Sequence, residues 1–202
     1  VGEQPGLFVE IQSNQGQWRI EDRYPPDEMD TISLDLGGAM MNVAGTTTIL
    51  PNGNFGPIYE SEPFEEPIWI SGLPRLHVDV STATVGGQIY ALLEDCSEAG
   101  DCIHIGHAIM DLRYHEGGTQ EQTWIPVFQT INAKMEFFAM DAQIEAGNYL
   151  RLSLASTGED YLPASTSSIV QISEGSSSNL ILDAIQEGDK LLFDPPICND
   201  PY

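Results

Sequence analysis

The 202-residue chain carries seven Lys plus Arg against thirty-one Asp plus Glu, a formal net charge of −24 at pH 7. That excess opposes association with a phosphate backbone, so nucleic acid is not expected as a partner. No run of about eighteen apolar residues occurs and the amino terminus lacks a basic-then-apolar pattern, so neither a membrane span nor a signal peptide is expected in the chain.

The length suits one core, and residues 1–202 are read as a single domain. Leu7, Val9 and Ile11 share one phase, and Ser13 to Gly16 turns the chain into Trp18 and Arg19, which predicts a hairpin. After Pro25 and Pro26, Ile32, Leu34 and Leu36 resume a period of two that Gly37 and Gly38 end. The stretch Gly53 to Pro67, rich in Gly, Pro and Glu, reads as an ordered surface excursion. Ile68 to Ser81 reads as a half-buried strand, with Leu76, Val78 and Val80 set against Arg75, His77 and Asp79.

Gly87 to Tyr114 is the organising stretch. Two apolar runs, Gln88 to Leu93 and Ile103 to Tyr114, flank an acidic loop bracketed by Cys96 and Cys102, the pattern of a hairpin with a stapled tip. Ile103 and Ile105 fall on one phase but Ala108, Met110, Leu112 and Tyr114 on the other, so a bulge near Gly106 is required if both sets face inward. Strands are then predicted at Trp124 to Phe128, Met135 to Ala142, Tyr149 to Ala155, Ser167 to Ile172, Leu180 to Ala184 and Lys190 to Phe193. The Ser-rich patch Ser173 to Ser178 reads as a loop. Many short strands with Gly and Pro turns and no helical period predict an all-β, two-sheet jelly-roll sandwich.

Several segments, in order, resemble the carboxy-terminal, non-catalytic jelly-roll domain of the cocaine esterase and X-prolyl dipeptidyl aminopeptidase family of serine hydrolases. They are Gly16-Gln17-Trp18-Arg19 with Tyr24-Pro25-Pro26; Glu62-Pro63-Phe64-Glu65-Glu66 with Ile70-Ser71-Gly72-Leu73-Pro74; Leu93-Glu94-Asp95; the strand containing Gly106 and ending in Leu112-Arg113; Ala146-Gly147-Asn148-Tyr149-Leu150-Arg151-Leu152; and Tyr161-Leu162-Pro163. The resemblance implies a galactose-binding-domain-like fold with a core over about residues 7–172 and a carboxy-terminal extension over 173–202. It also implies a partner, an α/β-hydrolase catalytic domain of the same polypeptide or complex. The Cys-bracketed acidic loop stands where the family has a plain Asp-Gly turn.

Catalysis in that family needs a Gly-x-Ser-x-Gly elbow, whose small neighbours permit a strained strand-to-helix turn. Neither Ser165 to Ser168 nor Ser176 to Ser178 has the flanking glycines, so no catalytic residue is nominated. A disulfide between Cys96 and Cys102 is expected and implies an oxidising, extracellular setting. Cys198 has no evident partner in the sequence.

Asp95, Glu98 and Asp101 could offer hard oxygen ligands to calcium, although a solvated hairpin tip is the plainer reading. No other cofactor is expected. His104 and His107 lie three apart, which puts them on opposite faces of a regular strand; only the bulge would align them as a metal pair, and ordinary surface histidines are the plainer reading. Trp18, Trp69 and Trp124 could form a sugar-stacking platform or serve as core and interface aromatics. Two functions follow: an accessory domain packing on a hydrolase, shaping substrate access or oligomerisation, or an autonomous module binding glycan, peptide or another surface ligand.

Overall fold

The computed structural model describes residues 9–16, 18–27, 29–51, 53, 56–115, 123–158, 161–162 and 168–186. Fifteen strands and one 3-10 turn account for its regular structure. In chain order they are β1 (Val9–Gln12), β2 (Trp18–Glu21), β3 (Asp30–Leu36), β4 (Met40–Asn42), β5 (Thr48–Ile49), β6 (Ile58–Ser61), β7 (Ile68–Gly72), β8 (Arg75–Thr82), β9 (Gln88–Cys96) and β10 (Cys102–Asp111). The 3-10 turn Leu112–Tyr114 leads on to β11 (Ile131–Glu136), β12 (Met140–Ile144), β13 (Tyr149–Ala155), β14 (Val170–Ser173) and β15 (Gly175–Gln186).

β1 and β2 form a separate hairpin, while the other thirteen strands share one hydrogen-bonded sheet that doubles over into a sandwich. Its path runs β10-β9-β13-β6-β4-β3-β15-β8-β14-β5, with β11 on β8, β12 on β7 and β7 on β15. Every strand pair in it is antiparallel except the single bridge from Leu36 to Met40, where the chain passes between layers. Burial follows the sequence period: Ile89, Ala91 and Leu93 of β9 and Leu150, Leu152 and Leu154 of β13 line one inner face. Leu76, Val78 and Val80 of β8, Leu180 and Leu182 of β15, and Ala142 and Ile144 of β12 line the other. Each such aliphatic side chain contributes about 1.5–3 kcal/mol when withdrawn from water, which fixes the register of strands whose one-residue slip would expose them all.

The predicted bulge is present. Register shifts between His104, opposite Glu94, and Gly106, opposite Leu93, leaving Ile105 as the extra residue. The phase change puts Ala108 and Leu112 into the core, but Ile103 is 61% exposed. The expectation that both apolar sets face inward therefore fails at Ile103, which lies at the start of β10, the outermost strand of its layer.

Other differences have equally local causes. Gly53 to Pro67 is more than a surface excursion, since β6 lies within it and Tyr59 is fully buried. Ile68 to Ser81 is two strands, broken at Leu73 and Pro74; β7 is buried along its whole length, paired on both sides by β12 and β15, and the Tyr24-Pro25 segment packs on its Gly72 end. Gly72, at φ +121° and facing the Pro25 ring, allows that approach. Trp124 to Phe128 forms no strand, and Met135 to Ala142 is the turn between β11 and β12 with a strand end on each side.

The Ser-rich patch is the bulged start of β15, where Ser178 is buried and accepts from the Asp79 amide at 2.9 Å. β15 itself pairs with β3, β7 and β8, so residues read as a terminal extension supply a central strand. Lys190 to Phe193 lies outside the described residues. Among the described residues no helix is long and apolar enough to cross a membrane.

Candidate docking face and histidine cluster

Three loops meet at one end of the sandwich: residues 82–88 between β8 and β9, residues 123–130 before β11, and residues 168–169 before β14. Main-chain bonds knit them together. Phe128 N donates to Thr82 O at 2.9 Å, Ile125 N to Val85 O at 3.3 Å, and Ala83 N to Ile169 O at 3.2 Å. Ser168 Oγ accepts from Thr84 N at 3.0 Å. Ile125 plugs the core beneath them, while Val85, Trp124, Val127, Phe128 and Ile169 are exposed.

The described residues of these loops, 82–88, 123–130 and 168–169, include no charged residue, in a chain of net charge −24. Depletion of charge around exposed aromatics is the composition of an interface core rather than of an ordinary surface. Phe128 is the most exposed of the set at 78%, and it holds φ +61° at the third position of a turn closed by Gln129 N donating to Pro126 O. A left-handed backbone at an aromatic residue is unfavourable, and here no burial of its side chain within the domain offsets it. Beside the loops, Arg113 embraces the Asp111 carboxylate, which also accepts from the Arg113 amide at 3.0 Å. Burial works to raise the Asp111 pKa, but the bonds and charge of Arg113 outweigh it and hold the carboxyl below its ordinary range.

The hairpin tip is stapled as expected, Cys96 and Cys102 standing opposite each other and joined by a disulfide. Asp95 points inward, is 4% exposed, and accepts from Asn148 Nδ2 at 2.9 Å. Burial pushes its carboxyl pKa up, with Glu145 adding to the rise and the Asn148 bond opposing it. Glu98 and Asp101 lie on the exposed turn. Among the described residues no group of three or more His, Cys, Asp or Glu side chains stands close enough to hold a metal ion, so Asp95, Glu98 and Asp101 are not gathered at one point.

The bulge does realign His104 with His107: His107 Nδ1 lies 3.2 Å from His104 Nε2, and His107 Nε2 lies 2.9 Å from the Tyr161 hydroxyl. Phe138 meets the His107 ring edge-on at 5.1 Å. His77 and His115 lie elsewhere. His115 Nδ1 is 2.8 Å from Leu112 O, and burial, with Lys134 and Arg75 nearby, lowers the His77 pKa.

Trp69 is withdrawn from any stacking platform: it is buried, and its Nε1 donates to Asp141 Oδ1 at 2.7 Å, while Ser71 Oγ donates to Asp141 Oδ2 at 2.6 Å. Tyr24 completes this end of β7 and β12 by donating to Met140 O at 2.8 Å and accepting from Gly72 N at 3.0 Å. The aromatic-Pro step and Trp69 are thus structural. Trp124 alone of the three tryptophans is largely exposed, on the uncharged loop end.

The model of the family described as the X-Pro dipeptidyl-peptidase C-terminal non-catalytic domain matches residues 52–182. The chain belongs to this family. The X-Pro dipeptidyl-peptidase C-terminal domain is described as non-catalytic, in keeping with a sequence that lacks a nucleophile elbow. No curated protein matches the chain.

Solved structures share its fold. A CocE/NonD family hydrolase from Staphylococcus aureus superposes with a TM-score of 0.70 at 12% identity, covering 90% of this chain and 42% of that one. An aminopeptidase from a marine sediment archaeon, Thaumarchaeota archaeon, gives 0.69 at 11% identity over 87% and 40% of the two chains. An α-amino acid ester hydrolase gives 0.56 at 13% identity over 88% and 36%. The chain therefore spans about two fifths of the length of these proteins.

Proposed function

We propose that this domain packs on an α/β-hydrolase catalytic domain of the X-Pro dipeptidyl-peptidase or esterase type, and that it does so through the uncharged loop end around Phe128 and Trp124. The family match over residues 52–182 is the observation that carries this reading. The loop end supports it by composition: exposed aromatics free of charge in an otherwise acidic chain suit burial against a partner. In that position the domain would shape access to the partner's active site, and its remaining surface would be available for oligomer contacts. The parent would be secreted, a placement supported by the Cys96 to Cys102 disulfide.

The test is reconstitution of the parent hydrolase. The reading frame preceding Val1 should encode an α/β-hydrolase domain with a Gly-x-Ser-x-Gly elbow. In that full polypeptide Phe128→Asp and Trp124→Asp should loosen the domain contact and alter KM for X-Pro amides or aryl esters. A frame without such a domain, or unchanged kinetics and domain protection in both variants, would refute the proposal.

A further inference from the structure

The geometry points to a two-histidine site for a divalent transition metal, Cu2+, Zn2+ or Ni2+, on the β10 bulge, with His104 Nε2 and His107 Nδ1 as ligands and Tyr161 as the group that orients His107. The spacing is the first reason. Two ligands at about 2.0–2.1 Å from a tetrahedral ion stand about 3.3 Å apart, and a square-planar or octahedral cis pair about 2.9 Å apart. The two ring nitrogens here are separated by 3.2 Å.

Orientation is the second reason. Metal-bound histidines characteristically use their other ring nitrogen in a hydrogen bond that fixes tautomer and ring plane. His107 Nε2 is already engaged by Tyr161 Oη at 2.9 Å, and Phe138 packs against the same ring. With Nε2 donating to Tyr161, Nδ1 presents its lone pair toward His104.

The third reason is the backbone. His104 stands before the register shift and His107 after it, so the extra residue Ile105 is what brings both imidazoles to one side. Glu94, opposite His104 in the register, adds negative charge beside an exposed ring, favourable to a cation.

Loading the site conserves charge at the protein. With His107 in the tautomer that donates from Nε2, the bridging proton is on His104 Nε2 and moves to His104 Nδ1, leaving two neutral imidazoles with their facing nitrogens on the metal and water in the remaining positions.

The inference is independent of any docking partner and is tested on the full 202-residue chain. Cu2+ and Zn2+ are titrated separately into chelator-treated protein at about 0.15 M salt with excess Mg2+. Calorimetry should give one saturable equivalent, and the Cu2+ electron paramagnetic resonance spectrum should show coupling to two nitrogens. His104→Ala and His107→Ala should each weaken binding at least tenfold, Tyr161→Phe roughly tenfold, and His115→Ala not at all, with unfolding temperatures confirming that each variant is folded. Absence of saturable binding, an oxygen-only copper spectrum, or affinity unchanged in either histidine variant would overturn the site; unchanged affinity in Tyr161→Phe would overturn the orienting role.

Discussion

Gly106 on β10 faces the terminal methyl of Met140 on β12 so closely that a β-carbon at position 106 would stand 2.0 Å from it. The contact joins the two layers at the bulge, and it accounts for the absence of a side chain there. Gly106→Ala should cost about 1 kcal/mol, because the flexible methionine tip can swing aside, whereas Gly106→Val should cost about 2–3 kcal/mol by overpacking. Urea denaturation of the two variants measures the difference, and equal stability of Gly106→Val and wild type would mean that the layers do not meet as described.

The bulge was legible because a hydrophobic pattern that changes phase in mid-strand needs one extra residue if both halves are to face the core. The exposure of Ile103 was not, since burial at the end of an edge strand depends on what lies across from it, and that is set by β11 and β12, well downstream in the chain. Likewise β6 was hidden in a Pro- and Glu-rich segment whose inward residues, Pro57, Tyr59 and the half-buried Phe64, follow no period of two. The aligned histidines were conditional on the bulge and could be recognised only through it. The Phe128 turn carried no sequence signal, because a left-handed aromatic residue is against local preference and is held by the Thr82 and Pro126 bonds.

Phe128→Gly should stabilise the isolated domain by about 0.5–1 kcal/mol. The left-handed backbone costs a side-chain-bearing residue about 1–2 kcal/mol, part of which glycine returns through the entropy of the unfolded chain, and an exposed ring loses little burial. Thermal unfolding reads the change. The same substitution should weaken the proposed domain contact, so opposite signs in the two assays are expected of a residue retained for docking.

Asp95 and its buried surroundings set a pH dependence of definite sign. A carboxyl whose folded pKa is raised binds more protons folded than unfolded, so its contribution favours the acid side and is lost as pH rises through the folded pKa. Asp95→Asn keeps an acceptor for Asn148 while removing the buried charge, and should raise the unfolding temperature at neutral pH but leave it nearly unchanged in acid, below the ordinary carboxylate range. A loss of stability at neutral pH would show that the charge is used, as calcium at the tip would require. Calcium titration after chelation should correspondingly release no heat at millimolar ion.

The Cys96 to Cys102 bond closes a loop of sequence separation 6. By chain entropy it should contribute about 2 kcal/mol, so the double variant Cys96→Ala with Cys102→Ala should lose that much in denaturant. The oxidised wild-type protein should show one reactive thiol after denaturation, that of Cys198. Three thiols would contradict the staple.

Hydrogen exchange on the polypeptide joining this domain to its proposed hydrolase partner, compared with exchange on the isolated 202-residue chain, tests the docking account most directly. Amides in residues 82–88 and 123–130, Phe128 among them, should exchange more slowly in the joined polypeptide, while the β10 hairpin tip around Glu98 to Asp101 should exchange alike in both. Equal exchange of the two loops in the isolated and joined forms would contradict docking through the uncharged end.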